Sequence, residues 1–182
     1  MTIFLARHGE TDSNVEPIRI MGTIDPPLNE TGREQAEELA QRVLDEGVEI
    51  KALYCSHKKR AFQTAEVVGR RIGLEPKVDE RFAESDRGRL EGELWEEVER
   101  NEPNVYAAWR AAGEQFRFPE GESLLEQQQR VLAGLEDVRQ GPLPALVVCH
   151  GGSIRAALCA GSPQGLDAFH DWDVPNVALT KL

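Results

Sequence analysis

The sequence predicts an α/β fold, a three-layer α/β/α sandwich with a mostly parallel central sheet. Two short apolar runs, at 3–6 and 145–149, have the length of buried strands. Strand-like and helix-like segments alternate along the chain, the order that builds a parallel sheet with helices on both faces. The 182 residues suffice for one domain, and no repeat or linker in the sequence divides them. We therefore expect a single domain over 1–182.

In the first half of the chain, hydrophobic periodicity predicts three strands and two helices, with a Pro- and Gly-rich loop before the first helix. Each helix carries one apolar stripe, the face expected to pack on the sheet. The expected elements are a strand at 3–6, a helix that starts with a capping box at 31–34 and ends at Gly47, a strand at 50–55, a helix with its apolar face at 61–72 that ends at Gly73, and a short strand at 77–78.

The second half of the chain begins with two short helical pieces that resemble an insertion rather than part of the framework. A capping box, Ser123 with Glu126, then predicts the start of a longer helix. The expected elements are helical pieces at 94–100 and 103–112, a helix from Ser123, a strand at 145–149, a helix at 153–160 and a last strand at 177–181.

Composition and charge narrow the class of function. The formal net charge is −11, which disfavours binding to nucleic acids and anionic membranes but leaves small anionic substrates open. No apolar run is long enough to span a membrane, and no secretory leader is evident, so we expect a cytoplasmic protein. The three cysteines are odd in number and lack paired metal-type spacing, so we expect neither a disulfide framework nor a zinc site.

Two of the predicted strands are followed by a histidine, His8 and His150. The carboxyl ends of parallel strands are where open α/β sheets bind their ligands. Arg7, Arg60 and Glu84 occupy comparable positions at strand ends or in loops. Each of these residues alone is compatible with a solvated or structural role, but together they indicate a functional site at one edge of the sheet.

These residue types suit phosphoryl transfer. Arginine binds phosphate through two parallel hydrogen bonds, and a neutral imidazole can attack phosphorus to form a covalent intermediate. A partly buried carboxyl group such as Glu84 can hold a proton near neutral pH for the departing alkoxide. A second imidazole, when protonated, would stabilise charge on the equatorial oxygens. This chemistry requires no metal or other cofactor, and we expect none.

A series of short motifs covers nearly the whole chain. They are RHGET at 7–11 with Asn14, Gly22 with DPPL at 25–28, GREQA at 32–36, Ser56 with RAFQTAE at 60–66, Glu84 with Gly88 and EG at 91–92, GES at 121–123, and HGG at 150–152. In this order they resemble the signature of the histidine phosphatase superfamily, in its phosphoglycerate-mutase-like branch. The family fold is the α/β/α sandwich already expected from the alternation of elements.

The resemblance implies a role for each matching residue. It implies that His8 is the phosphorylated nucleophile, and that Arg7, Arg60 and His150 form the phosphate pocket. Glu84 would be the proton donor and later the base that activates water. It also implies contacts with substrate or phosphate, which we assign to Asn14, Gly22 and Gly151.

Departures from the family pattern bear on the substrate. Met21 stands where these enzymes often carry a polar residue, and His57-Lys58-Lys59 makes the approach to Arg60 basic. The mutases of the family are longer than this chain, so a phosphatase acting on a small phosphorylated metabolite is favoured, with mutase activity as the alternative. We expect the aromatic segment 93–117 to be a lid that sets specificity; packing of a small helical subdomain is the other interpretation. A homodimer is compatible with the sequence.

Two further alternatives come from the sequence. The run from Cys149 to Arg155 satisfies the C-x-x-G-x-x-R pattern of cysteine-dependent phosphatases and lies between a predicted strand and a helix. That hypothesis leaves His8, Arg60 and Glu84 without a role. The other alternative, a non-catalytic phosphate-binding module, would require the loss of a central group, and all of these groups are present.

Overall fold

The computed structural model describes residues 2–182, and in them a five-stranded sheet runs in the order β3-β2-β4-β1-β5. Strands β1 to β4 are parallel, and β5 pairs antiparallel with β1. The strands are β1 (Ile3–Arg7), β2 (Ala52–Cys55), β3 (Lys77–Val78), β4 (Ala145–Cys149) and β5 (Leu179–Lys181). The helices are α1 (Glu30–Asp45), α2 (Lys59–Ile72), α3 (Trp95–Asn101), α4 (Pro103–Ala111), α5 (Leu124–Gln140) and α6 (Gly151–Cys159), with short 3₁₀ turns at Glu80–Phe82, Gly88–Leu90 and Gly165–Ala168.

The register of the central strands brings their carboxyl ends level. Arg7 pairs with Cys149, and Cys55 pairs with Val148. The chain therefore leaves β1, β4 and β2 at one edge, where the amide of His8 donates to the Cys149 carbonyl at 3.0 Å. The carboxyl ends of the strands, where the sequence predicts the functional site, therefore lie together at this edge.

Helices cover both faces of the sheet because alternate strand residues point to opposite sides. Phe4 and Ala6 of β1 belong to a buried cluster with α1 and α2, whereas Ile3 and Leu5 belong to one with α5 and α6. The structure thus confirms the expected three-layer sandwich.

Several element boundaries differ from those predicted. Helix α1 begins at Glu30, not Thr31, because the Asn29 side chain accepts a hydrogen bond from the Gly32 amide at 2.8 Å and caps the helix. Helix α6 starts directly at Gly151, two residues earlier than predicted, while β2 and β5 start two residues later. The capping box of Ser123 and Glu126 is confirmed, with both reciprocal hydrogen bonds formed.

The segment 93–117 forms α3, α4 and a turn that pack beside α6. Trp109 is buried, and its ring contacts those of Phe118 and Phe169 at centroid distances of 5.1 and 5.6 Å. This aromatic cluster continues beneath α6, so the segment is anchored to the sandwich.

None of the helices within residues 2–182 is long and apolar enough to cross a membrane. The three cysteines of the chain are all buried free thiols.

Candidate active site

His8 follows β1 directly, and its side chain is buried. Its Nδ1 lies 2.7 Å from the carbonyl oxygen of Gly9. Because a carbonyl only accepts hydrogen bonds, Nδ1 carries the proton and Nε2 keeps its lone pair. Burial lowers the pKa of His8 well below its ordinary value, and the nearby Arg60 and Arg7 guanidinium groups lower it further. His8 is therefore neutral, as a nitrogen nucleophile must be.

His150 follows β4 directly and precedes α6. Its ring packs edge to face against the ring of His8, with the ring centroids 5.2 Å apart. Its Nε2 lies 2.9 Å from the hydroxyl oxygen of Ser56, which follows β2. Burial and the charge of Arg60 hold the pKa of His150 well below its ordinary value. The second imidazole is therefore neutral in the free protein, and it supplies hydrogen bonding rather than the positive charge considered from sequence.

Arg7 and Arg60 bring positive charge to the same edge. Arg7 Nη1 donates to the Val174 carbonyl at 2.7 Å. Arg60 is almost fully buried and donates to the carbonyls of Ile24 and Gly22 at 2.9 and 3.3 Å, which holds the loop before α1 in place. Within residues 2–182, the Nε atoms of both arginines are buried without a hydrogen-bond partner, so the pair has donors to spare for an anion.

Glu84 lies in the loop that follows the 3₁₀ turn Glu80–Phe82. Its Oε2 accepts from the Gly152 amide at 3.0 Å, and its Oε1 accepts from the Gln127 side chain at 2.9 Å. Burial raises the pKa of this carboxyl, but Arg87 and the hydrogen bonds more than offset that effect, so the pKa lies below its ordinary value. The expectation that burial alone keeps Glu84 protonated near neutral pH is wrong for the free site, where it is a carboxylate.

His8, Arg7, Arg60 and Glu84 line one cavity of about 210 Å³. This is smaller than the ~300–1,000 Å³ typical of sites for drug-sized molecules, so it suits a small ligand. Four of the five predicted catalytic residues line the cavity together with Asn14 and Gly151; the four are Arg7, His8, Arg60 and Glu84. His150, the fifth, is not among the lining residues and packs against His8 instead. The remaining walls of the cavity are Ile18, Arg19, Ile20, Met21, Arg87, Trp95, Trp109, Gly152 and Arg155.

The three predicted phosphate-binding residues are placed differently. Gly151 begins α6, so its backbone amide lies at a helix N-terminus beside the cavity. Asn14 uses its side-chain oxygen to accept from Thr11 at 3.1 Å, which leaves its NH₂ group available for a ligand. Gly22 lies behind the cavity wall, where its amide donates to Glu91 and its carbonyl accepts from Arg60. Its contact with substrate stays a prediction.

Four site residues were missed in the sequence. Arg87 and Arg155 line the cavity, Ser56 holds His150, and Gln127 holds Glu84. Ser56 belongs to the motif that includes RAFQTAE at 60–66, and Arg155 ends the C-x-x-G-x-x-R pattern, but the sequence indicated no role for either residue in a histidine mechanism.

Cys149 faces the apolar cluster beneath α5 and α6, away from the cavity. Its side chain is almost fully buried, and burial raises the pKa of its thiol to about 12. The thiolate that a cysteine-dependent phosphatase needs is therefore not available at neutral pH. This geometry argues against Cys149 as the nucleophile.

A neutral histidine, a buried and a half-buried arginine, a helix N-terminus and a carboxylate around a small cavity define an enzyme of phosphoryl transfer. The family model described as the histidine phosphatase superfamily (branch 1) matches residues 3–182, and the chain belongs to this superfamily.

The relatives include both phosphatases and mutases by name. The chain is 31% identical over 182 residues to a putative phosphoserine phosphatase 2 of Hydrogenobacter thermophilus, covering 99% of this chain and 88% of the relative. It is 36% identical over 154 residues to a probable phosphoglycerate mutase of Escherichia coli, covering 83% and 70%. A mycobacterial glucosyl-3-phosphoglycerate phosphatase solved with VO3 superposes with a TM-score of 0.87 at 28% identity, covering 99% and 91%. The protein is a phosphatase that acts on small phosphorylated metabolites.

Proposed function

We propose that this protein hydrolyses small phosphomonoesters through a phosphohistidine formed on His8. One observation carries the proposal: the bond from Nδ1 to the Gly9 carbonyl leaves the lone pair of Nε2 unused at the arginine-lined cavity. Nε2 attacks phosphorus, the bond to the ester oxygen breaks, and the phosphoryl group passes to His8. Arg7, Arg60 and the amide of Gly151 support its charged oxygens.

Glu84 supplies the proton that the departing alkoxide needs. In the free site Glu84 is a carboxylate, so the proton must arrive with the substrate. A phosphate anion bound beside Glu84 raises the pKa of the carboxyl by like-charge repulsion, and a monoanionic substrate brings a proton of its own. In the second half-reaction the carboxylate takes a proton from water, the water oxygen bonds to phosphorus, and the bond from phosphorus to Nε2 breaks.

The same proposal extends to the organisation of the chain. We propose that 1–182 act as one domain, and that 93–117 is the part that contacts the leaving group, since Trp95 and Trp109 line the cavity. Relatives named for phosphoserine and glucosyl-3-phosphoglycerate support a phosphorylated metabolite as substrate.

The chemical stability of the phosphoenzyme tests the proposal. The protein is mixed with ³²P-labelled p-nitrophenyl phosphate and quenched without acid. We expect label that survives alkali and is lost in mild acid, as a phosphohistidine requires. The label should be absent from His8→Ala and present in His57→Ala, a control at an exposed histidine outside the cavity. Label that survives mild acid and disappears in Cys149→Ser would show instead that the cysteine is the nucleophile.

A further inference from the structure

The two oxygens of the Glu84 carboxylate have unequal hydrogen-bond partners. Oε1 accepts from the backbone amide of Ser85 at 3.1 Å and from Nε2 of Gln127 at 2.9 Å, and it lies 3.5 Å from Nη2 of Arg87. Among the described residues, Oε2 has one partner, the amide of Gly152 at 3.0 Å. Because each donor stabilises negative charge on the oxygen that accepts it, Oε1 takes up a proton less readily than Oε2.

The partners of the two oxygens also differ in their relation to the substrate cavity. Gly152, the partner of Oε2, lies on the cavity wall. Gln127 and Ser85, which both donate to Oε1, are fully buried and are not among the described residues that line the cavity. The oxygen with fewer donors is thus the one whose partner borders the place where the ester binds.

The side-chain amide of Gln127 has one orientation that the carboxylate permits. Its NH₂ group donates to Glu84, while its own carbonyl oxygen is buried with no hydrogen-bond partner in the part of the chain that the structure describes. Such an unpartnered acceptor costs free energy. Turning the amide around would place its oxygen against a carboxylate oxygen, and neither could donate, so Gln127 stays a donor. A side chain that only filled space at this position would not need an amide group.

We propose that Gln127 is a positioning residue for the acid–base step, and that it acts by keeping the proton of Glu84 on Oε2. While the Gln127 amide occupies Oε1, the proton passes from Oε2 to the ester oxygen as the bond from that oxygen to phosphorus breaks. In the second half-reaction Oε2 takes a proton from the water whose oxygen bonds to phosphorus. This inference rests on the function proposed for His8 and Glu84.

The dependence of the rate on the leaving group tests this role. The measurement compares kcat/KM for glycerol 3-phosphate, whose alkoxide needs a proton, with kcat/KM for p-nitrophenyl phosphate, whose phenolate needs little protonation. We expect Gln127→Met to lower kcat/KM for glycerol 3-phosphate by about tenfold, through kcat rather than KM, with a much smaller effect on p-nitrophenyl phosphate. Gln128→Met is the matched control: it removes a hydrogen bond to the Ala156 carbonyl at 2.9 Å and should leave both rates unchanged.

A double-mutant cycle separates a role through Glu84 from a general loss of structure. In a Glu84→Gln background there is no proton on Oε2 to direct. Adding Gln127→Met should then keep kcat/KM for glycerol 3-phosphate within about twofold of the value for Glu84→Gln alone. If the two losses multiply, or if Gln127→Met slows both esters alike, Gln127 does not act through the proton of Glu84 and the proposal is wrong.

A second variant tests the proposal should Gln127→Met fail to fold. In Gln127→Glu, two adjacent carboxyl groups share one proton, which is then held between them instead of at Oε2. Glycerol 3-phosphate should again be slowed more than p-nitrophenyl phosphate, and an unchanged ratio would overturn the proposal.

The phosphoenzyme label distinguishes this failure from a failure of the proposed function. If His8 is labelled but the substitutions at Gln127 leave the ratio of the two esters unchanged, the role of Gln127 is wrong and the phosphohistidine mechanism stands. If no histidine label forms, both proposals fail.

Discussion

Oε2 of Glu84 accepts a hydrogen bond from the backbone amide of Gly152 at 3.0 Å, which joins the loop after β3 to the first turn of α6. Gly152 packs so closely that a Cβ at this position would collide with Oε1 of Glu84 and press on Nε2 of Gln127 at 3.1 Å. The carboxylate is therefore positioned by a residue without a side chain. This contact makes the position of Glu84, the proposed proton donor, sensitive to a single added carbon.

Gly152→Ala should displace Glu84 and lower kcat strongly. A misplacement of about 1 Å in a catalytic group costs on the order of 10²-fold in rate. Overpacking at a buried position also costs about 1–3 kcal/mol of stability. Steady-state kinetics with an alkyl phosphate, together with urea denaturation, measures both effects.

Gly161→Ala is the matched control for this substitution. The atom nearest to a Cβ there is the Leu158 carbonyl oxygen, at 3.7 Å, which is an ordinary contact. The control should retain the wild-type kcat. A Gly152→Ala protein that also retained it would show that the position of Glu84 is not limiting.

Glu84→Gln should slow the release of poor leaving groups far more than that of p-nitrophenolate, which departs with little need of a proton. Proton transfer by a positioned side chain contributes typically about 10²–10⁴-fold, and an amide cannot provide it. The measurement compares kcat for glycerol 3-phosphate with kcat for p-nitrophenyl phosphate. Glu80→Gln, at an exposed carboxylate four residues earlier, is the control. Equal losses for both substrates in Glu84→Gln would remove it from the proton-donor role.

The sheet and the histidine pair could be predicted because they follow from the hydrophobic pattern of short, continuous segments of the sequence. Buried apolar runs define β1 and β4, and parallel strands that end level bring His8 and His150 together. The roles of Arg60 and Glu84 came from motif resemblance, since neither position alone distinguishes a site residue from a surface charge.

Arg87 could not be predicted, because its position depends on contacts distant in sequence. It lies in an irregular stretch, where periodicity says nothing about the direction of a side chain. Trp109 and Phe118, which hold its guanidinium group, are more than 20 residues away in the chain. The direction of the Glu84 pKa could not be predicted either, because the sequence does not show that Arg87 lies against its carboxylate or that Gly152 and Gln127 donate to it.

The start of α1 shows how two local signals compete. Thr31 fits a capping box with Glu34, but Asn29 also has a side chain suited to an N-cap. The Asn29 amide group additionally donates to Glu10 at 2.9 Å. This tertiary contact favours Asn29 as the cap, and the sequence pattern does not contain it.

Stability should fall as the pH drops below about 6.5, the ordinary pKa of histidine. Burial and Arg60 lower the pKa values of His8 and His150 in the folded protein, so the unfolded chain takes up protons that the folded chain does not. Each histidine then removes about 1.4 kcal/mol of unfolding free energy per pH unit, down to its folded-state pKa. Urea denaturation between pH 7 and 5 measures this slope. His150→Gln should make it shallower, and an unchanged slope would contradict the assignment.

The buried aromatic cluster predicts different effects for two stacked tryptophans in the segment 93–117. Trp95 and Trp109 stack with centroids 5.4 Å apart, but only Trp109 is buried in the cluster that continues beneath α6. Trp109→Ala should therefore cost about 3–5 kcal/mol of unfolding free energy. Trp95→Ala, at the half-buried cavity wall, should cost less and act mainly by raising KM. If Trp109→Ala unfolds at the wild-type urea midpoint, the segment is not anchored to the sandwich and behaves as a separable lid.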